Sequence, residues 1–201
     1  MNTDFEKTKT ILCYGDSNTF GHDPRSFIGD QYPPEIRWTG RLSRWGYRAE
    51  NLGLNGRQIP AAEAELQAAE AQITSRLPAD AVVVMLGTND ILWNPSFRAE
   101  DSAARMEAFL LRLLPKTGAT PLLLLAPPPM QEGSWVEEAR MITESERLGP
   151  LYAALAQRQG IAFADTARWG IELSFDGLHL TENGHCVFAE KLAALLENLT
   201  R

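Results

Sequence analysis

Short apolar segments alternate with segments of helical periodicity along this chain of 201 residues. The clearest apolar segment, AVVVML at residues 81–86, is rich in β-branched side chains and is apolar on both faces. Such runs are typical of parallel strands inside a sheet, because helices cover both faces of the sheet. Five segments have this strand pattern: residues 10–14, 47–52, 81–86, 121–126 and 161–165.

The segments between these strands predict helices. Apolar side chains recur three and four residues apart in residues 61–77, 105–114, 144–159 and 181–199. Gly149-Pro150 is a point where the third helix could kink, and Thr181 is suited to cap the fourth. Because strands and helices alternate, we predict a three-layer α/β/α domain on a five-stranded parallel sheet. For the strands of this sheet we expect the flavodoxin-like order 2-1-3-4-5. No repeat or linker interrupts residues 1–201, which we expect to form one domain.

The charge balance and the cysteines exclude several classes of protein. The formal net charge is −7 and no basic run is present, so binding to nucleic acid or to an anionic membrane is not expected. The first ten residues are polar and lack the apolar centre of a secretory signal. Cys13 and Cys186 form no CxxC pair, which favours reduced thiols in a cytoplasmic protein and disfavours a structural zinc site.

Polar segments follow the predicted strands at their carboxyl ends. They read GDSNT at 15–19, LGLNGR at 52–57, GTND at 87–90 and FDGLHL at 175–180. The carboxyl ends of parallel strands share one edge of the sheet, and open α/β sheets bind their ligands there. We therefore expect these four segments to meet in one site.

The residue types in these segments suit acyl transfer. Asp176 lies three residues before His179, so its carboxylate can orient the imidazole, and Ser17 is the candidate nucleophile. The Ser17 N–H, the Gly56 N–H and the Asn89 amide are candidate donors to an oxyanion. Each signal alone has a plainer explanation: Ser17 could cap a helix, Asn89 could form an Asx turn, and Gly56 could only shape a loop. Their occurrence together, each beyond a strand, favours the catalytic interpretation.

Other candidates near these segments are less direct. Asp16 adjoins Ser17, but adjacent residues leaving a strand point in different directions, so we expect Asp16 to order the turn or to contact substrate. Of the other two histidines, His22 has no aspartate one turn before it, and His185 lies in the last predicted helix, where a flanking role is expected.

The four segments resemble the blocks that define the SGNH hydrolases, also called the GDSL-type esterase/lipase family. The blocks here read GDSNT, GLNGR, GTND and DGLH and extend from residue 15 to residue 179. The resemblance implies a hydrolase without metal or organic cofactor. It implies that Ser17 is the nucleophile, with His179 as base and Asp176 as its partner, and that Ser17, Gly56 and Asn89 form the oxyanion hole. Gly53 also lies in the second block, but Gly56, between Asn55 and Arg57, fits the family pattern better.

The segment RWTGRL at residues 37–42 resembles a branch of small bacterial arylesterases and acyltransferases. Trp38 is therefore a candidate substrate-binding residue, with core packing as the alternative. We predict a serine esterase that hydrolyses short-chain esters of small molecules, acetyl to butyryl. A thioesterase, a carbohydrate deacetylase and an alcohol acyltransferase would use the same groups. A phosphoacceptor signalling domain could share the sheet, but no lysine follows the fifth strand in IAFADTARWG.

Two loops rich in proline, residues 21–36 and 126–135, follow strand ends and could surround the substrate. Both are short and broken by polar residues, so we expect a small pocket rather than a long acyl groove. A homo-oligomer is compatible with the sequence. The candidate wall residues are Phe20, Phe27, Tyr32, Trp38, Met130 and Trp135.

Overall fold

A computed structural model describes residues 8–26 and 28–201, and within them it confirms the predicted α/β architecture. All neighbouring strands are parallel, in the predicted order β2-β1-β3-β4-β5. Each strand end lies within one residue of its predicted position. The strands are β1 Lys9–Gly15, β2 Tyr47–Gly53, β3 Ala81–Met85, β4 Leu122–Ala126 and β5 Ala162–Asp165. Phe27 and residues 1–7, on which the signal-peptide expectation rests in part, lie outside the described residues.

Among the described residues the four predicted helices are present, and three short α-helices were not predicted. The chain order is α1 Ser17–Phe20, α2 Trp38–Arg41, α3 Glu63–Thr74, α4 Thr88–Trp93, α5 Ala99–Thr117, α6 Ala139–Gln159 and α7 Glu182–Leu199. Thr181 caps α7 as predicted, since its hydroxyl accepts from the Gly184 N–H at 3.0 Å. Helix α6 continues through Gly149 and Pro150. Within the described part of the chain, no helix is long and apolar enough to cross a membrane.

The sheet separates two apolar cores, as a three-layer structure requires. Alternate residues of β3 face opposite sides: Val82 and Val84 belong to the core beneath α3, α5 and α6, whereas Val83 and Met85 belong to the core beneath α2 and α7. Burial of each such side chain stabilises the fold by roughly 1.5–3 kcal/mol. The sheet, packed on both faces, therefore holds the ends of the loops that follow its strands in fixed positions.

The register of the sheet brings the strand ends together. Gly15 at the end of β1 is aligned with Gly53 of β2 on one side and with Met85 of β3 on the other. The polar segments that follow these three residues consequently leave the sheet at one level. This alignment places the first three blocks side by side, although up to 70 residues separate them in the chain.

Candidate active site

Ser17, His179 and Asp176 form one chain of hydrogen bonds at this edge of the sheet. Ser17 Oγ lies 3.0 Å from His179 Nε2, and His179 Nδ1 lies 2.6 Å from Asp176 Oδ2. The other carboxylate oxygen of Asp176 accepts from the backbone N–H groups of Leu178 and His179 at 2.9 and 3.0 Å. The side chains of Ser17, His179 and Asp176 are all nearly fully buried. The structure thus brings together three residues that the sequence singled out.

A tight turn after β1 presents Ser17 to the site. Ser17 is the first residue of α1, and Asp16 caps that helix by accepting from the Asn18 N–H at 3.0 Å. Gly15 permits the turn, because a Cβ at this position would lie 2.1 Å from the Thr19 hydroxyl. The Ser17 N–H has no acceptor among the described residues, as expected at the first turn of a helix.

The loop that carries Asp176 and His179 is braced by the proline-rich loop after β4. Gln131 N–H donates to Gly177 O at 2.9 Å, and Trp135 N–H donates to Asp176 O at 3.2 Å. Gly177 has φ +76°, and a Cβ there would lie 2.1 Å from Gln131 O, so the close approach of the two loops requires glycine. The proline-rich loop therefore supports the Asp176–His179 pair.

Asn18 joins the turn that carries Ser17 to the loop that carries His179. Its side-chain amide donates to Leu178 O at 3.1 Å, and its carbonyl oxygen accepts from the Leu180 N–H at 3.0 Å. These two bonds flank His179 in sequence. A single buried amide thus sets the distance between the segment of Ser17 and the segment of His179.

The loop after β2 places Gly56, rather than Gly53, at the site. Gly56 has φ +72°, borders the same pocket as Ser17, and its N–H has no acceptor among the residues described. Gly53 N–H already donates to Asn51 Oδ1 at 2.9 Å, and a Cβ on Gly53 would lie 2.1 Å from the Phe20 nitrogen. Gly53 therefore serves close packing, and its N–H is not available to a ligand.

Arg57 holds this loop against the end of β1. Its guanidinium donates to Gly15 O at 2.9 Å and also to Leu52 O, and it lies over the Tyr14 ring at 4.2 Å. Partial burial lowers the pKa of Arg57, although the group remains a cation at any physiological pH. The charge is thus used to tie the Gly56 loop to the sheet.

Asn89 completes the site from α4, the short helix that follows β3. Its side chain is nearly fully buried, borders the pocket, and donates one amide N–H to Arg57 O at 3.1 Å. An amide nitrogen carries two hydrogens, so one remains for a ligand. The next residue, Asp90, accepts from Ile59 N–H at 3.0 Å and from Arg105 at 3.1 Å, which fixes α4 against the Gly56 loop.

These groups surround a cavity of about 280 Å³. Its walls are formed by Ser17, His22, Asn55, Gly56, Asn89, Trp93, Trp135, Leu178 and His179. None of these walls carries an Asp, Glu, Lys or Arg side chain. In the part of the chain that the structure describes, no group of three or more His, Cys, Asp or Glu side chains could hold a metal ion.

Two residues that the sequence suggested for substrate binding do not reach this cavity. Trp38 is buried in the core, where its ring packs on Phe188 at 4.8 Å and its indole N–H donates to Asn18 O at 2.8 Å. Asp16 is buried beneath the turn that it caps. Their positions correct the expectation of substrate contact, because buried packing and capping account for both side chains.

Of the candidate wall residues, Trp135 alone lines the cavity within the described part of the chain. Tyr32 and Met130 are buried in the protein, and Phe20 lies at the end of α1 outside the cavity. His185 is also buried, as a flanking residue, and burial lowers its pKa to about 3. Tyr32 and Met130, which could have lined a larger acyl groove, instead pack in the protein interior.

The pKa values of the three buried carboxyl groups near the site are shifted in different directions. Burial alone would raise the pKa of Asp176, but hydrogen bonds from the His179 ring and from two backbone N–H groups outweigh burial and lower it. Burial raises the pKa of Asp16 to about 6 and that of Asp90 to about 6. Neither Asp16 nor Asp90 is at the cavity surface, so a phosphoacceptor domain would have no exposed carboxylate there.

The raised pKa of Asp16 makes the stability of the protein depend on pH. In the folded state this carboxyl titrates near 6 instead of 3.8, and its Oδ2 has no hydrogen-bond partner among the described residues. Its ionisation therefore opposes folding: the contribution of Asp16 to stability is fully present below pH 3.8 and is lost as the pH rises through 6. Asp16→Asn keeps the cap acceptor and removes the charge. It should raise the free energy of unfolding at pH 8, by roughly 3 kcal/mol at most.

Urea unfolding of both proteins at pH 3.5 and pH 8 measures this effect. The gain from Asp16→Asn should be present at pH 8 and nearly absent at pH 3.5, where the carboxyl is protonated in the folded state and mostly protonated in the unfolded state. A variant that is less stable than the wild type at pH 8 would show that the Asp16 carboxylate stabilises the fold.

Sequence reasoning did not assign three residues that contact the site groups. Asn18 bonds to the backbone on either side of His179, Trp93 donates its indole N–H to Asn89 Oδ1 at 3.1 Å, and the His22 ring lies 4.5 Å from that of His179. His22 reaches the site because Gly21, with φ +89°, turns the chain back after α1. Its place five residues after Ser17 was the signal that could have identified it. Trp93 was recognisable only if α4 had been predicted, because the helix places it one turn from Asn89.

Known proteins resemble this chain over nearly its whole length. The family model described as GDSL-like lipase/acylhydrolase matches residues 13–187. The native aryl esterase of M. smegmatis has 26% identity, covers 95% of this chain and 99% of its own, and has a TM-score of 0.83. A carbohydrate acetylesterase from Sinorhizobium meliloti has 27% identity, the same coverage of both chains and a TM-score of 0.83.

A structure from Agrobacterium tumefaciens str. C58, proposed to be an arylesterase, has 32% identity, covers 95% of this chain and 99% of its own, and has a TM-score of 0.81. No curated protein sequence matches the chain. The family model matches most of the chain, and the matched residues include the four blocks on which the resemblance rests. The chain therefore belongs to the GDSL-like lipase/acylhydrolase family and is a hydrolase that acts on ester bonds.

Proposed function

We propose that this hydrolase is a serine esterase that cleaves short-chain carboxylic esters, acetyl to butyryl, through an acyl-serine intermediate on Ser17. The observation that carries the proposal is the unbroken hydrogen-bonded chain from Ser17 Oγ through His179 to the Asp176 carboxylate. This arrangement provides a nucleophile, a base and a group that orients the base within contact distance.

In the proposed reaction, Ser17 Oγ attacks the ester carbonyl while His179 Nε2 accepts the hydroxyl proton. The Asp176 carboxylate stabilises the imidazolium that results. The tetrahedral oxyanion accepts hydrogen bonds from the Ser17 N–H, the Gly56 N–H and the free amide N–H of Asn89. The C–O bond to the leaving group then breaks, and His179 returns the proton to the alcohol. Water repeats these steps on the acyl-serine and releases the acid.

The size and lining of the cavity support a small acyl group and a flat leaving group. About 280 Å³ is at the low end for ligand pockets, and the walls next to His179 are aromatic. The Trp135 ring meets the His179 ring edge-on at 5.8 Å and the Trp93 ring at 6.3 Å. These indoles could contact an aromatic alcohol as it leaves. The neighbouring larger pocket contains Arg57, Glu65 and Arg105, which suit an alkyl chain poorly.

The dependence of rate on acyl length tests this pocket. We expect kcat/KM for p-nitrophenyl esters to be highest from acetyl to butyryl and to stop rising thereafter. Carbons beyond the cavity stay in water and gain little of the roughly 0.8 kcal/mol that burial of a CH₂ contributes. The leaving group is constant in this series, so only the acyl chain is varied. A value that keeps climbing past octanoyl would contradict the small pocket and indicate a groove as in a lipase.

Deacetylation of carbohydrates is the second candidate, because the S. meliloti relative is named as a carbohydrate acetylesterase. The acyl group would be the same, and only the alcohol would differ. The absence of Asp, Glu, Lys and Arg from the described cavity walls favours an aromatic alcohol, since sugar hydroxyls need several polar partners. A comparison of kcat/KM for phenyl acetate and for acetylated xylose decides between the two. The value of kcat/KM for an acetyl thioester tests thioesterase activity. Formation of a new ester when an alcohol is added to the reaction tests acyltransferase activity.

A further inference from the structure

The orientation of the Asn89 amide is determined by its two neighbours. Trp93 Nε1–H donates to Asn89 Oδ1 at 3.1 Å, and Asn89 Nδ2 donates to Arg57 O at 3.1 Å. An indole N–H can only donate and a backbone carbonyl can only accept. Each bond is therefore compatible with one end of the amide only. Together they leave the second N–H of Asn89, and not its oxygen, for the cavity.

The short helix α4 creates the contact between Trp93 and Asn89. The two residues are four apart, which places them on one face of the helix. The Trp93 ring is 54% exposed at the mouth of the cavity and meets the Trp135 ring edge-on. Its burial is therefore modest, and the one side-chain hydrogen bond that it makes among the described residues is to the amide oxygen of Asn89.

The consequence of losing this bond follows from the side chain of asparagine. Rotation about the terminal bond of an asparagine is soft, because this sp³–sp² torsion has broad minima. Without the indole N–H, the Asn89 oxygen loses its donor and only the bond to Arg57 O still holds the amide, so the amide turns more readily. An amide oxygen facing the cavity would repel a developing oxyanion instead of stabilising it.

We propose that Trp93 is a positioning residue of the oxyanion hole, which acts by keeping the Asn89 amide N–H directed at the reacting carbonyl. This inference rests on the proposed function, because it requires that Asn89 donates to the oxyanion. Trp93 itself does not touch the reacting atoms in this role. Its indole N–H, not its ring, is the group that matters.

A double-mutant cycle tests the inference. Trp93→Phe keeps an aromatic ring and removes the indole N–H, and Asn89→Ala removes the group on which Trp93 acts. We expect Trp93→Phe to lower kcat for p-nitrophenyl acetate about three- to tenfold in the wild type, as for one lost hydrogen bond. KM should change less than kcat, because the oxyanion forms only after attack. In the Asn89→Ala background, Trp93→Phe should lower kcat no further.

Trp135→Phe is the matched control. Trp135 lines the same cavity, is 49% exposed, and makes no hydrogen bond to Asn89. Its replacement reports what a smaller ring does to the cavity, which we expect chiefly in KM. Any change that it causes in kcat should be smaller than that of Trp93→Phe and equal in both backgrounds. Thermal unfolding of each variant shows that the folded enzyme is being compared.

The outcomes separate this inference from the proposed function. If Asn89→Ala leaves kcat unchanged, Asn89 is not an oxyanion donor, and the proposed mechanism fails together with the inference. If Asn89→Ala lowers kcat but Trp93→Phe has the same effect with and without Asn89, the role of Asn89 stands and that of Trp93 is overturned. An unchanged kcat in Trp93→Phe likewise overturns it.

Discussion

Ser17→Ala should abolish ester hydrolysis and leave the fold intact. The substitution removes the only atom that can form the acyl bond in the proposed mechanism, and the loss in kcat should approach about 10⁶-fold, as for a triad serine. The Ser17 hydroxyl contributes little to folding, because its hydrogen bond is to the His179 ring. Asp16, which caps α1, is retained. Circular dichroism and the melting temperature should therefore stay close to those of the wild type.

Covalent labelling identifies the nucleophile independently of kinetics. A fluorophosphonate should attach to Ser17 of the wild type and stop hydrolysis of p-nitrophenyl acetate, and the Ser17→Ala variant should remain unlabelled. Ser43→Ala is a suitable control, since Ser43 is exposed and its hydroxyl donates only to Gly40 O at 2.8 Å. That variant should be labelled and active. Full activity in Ser17→Ala, or a label on another residue, would refute the acyl-serine mechanism.

Asn89→Ala should have the next largest effect, and the effect should be on kcat. Removal of one oxyanion donor typically costs about 2.7–4 kcal/mol, which is roughly 10²- to 10³-fold in rate. The amide contacts an oxygen whose charge develops only in the transition state, so KM should change little. The Ser17 N–H and the Gly56 N–H remain, and they account for the residual activity that we expect.

A second role of Asn89 makes a control necessary for this variant. Asn89 also donates to Arg57 O, so a loss of activity could arise from movement of the Gly56 loop. Asn94→Ala removes another amide from the same segment, one that donates to Asp90 O at 3.1 Å and lies outside the cavity. Its kcat should stay close to that of the wild type. A rise in KM alone in Asn89→Ala would mean that Asn89 binds the ground state of the substrate.

The sheet and the main site residues could be predicted because local patterns encode them. The run at residues 81–86 is apolar on both faces, and such a run is stable only in the middle of a covered sheet, where the structure has β3. Parallel strands share one edge, so residues that follow different strands converge there without any knowledge of the loops. Ser17, Asn89 and His179 were found by this argument.

The short helices could not be predicted with the same certainty. Helix α1 has four residues and α4 has six, too few for a hydrophobic period to show. Isolated helices of this length are unstable in water, and packing against the sheet is what stabilises them. The contact between Trp93 and Asn89 depends on α4, so it could not be read from the chain.

Local patterns in the sequence were enough to predict the α/β fold and the residues that meet at the edge of the sheet. Hydrophobic periodicity and the ends of strands are local properties, because the residue types within a short window determine them. Which polar and aromatic groups line or support the site depends on the packing of the folded chain. It placed Trp38 in the core and Trp135 in the cavity, although both are tryptophans of loop-rich segments. It also paired Asn18 with the backbone on either side of His179, across about 160 residues. Such pairings depend on which loops the packed sheet brings into contact, and no local pattern records that contact.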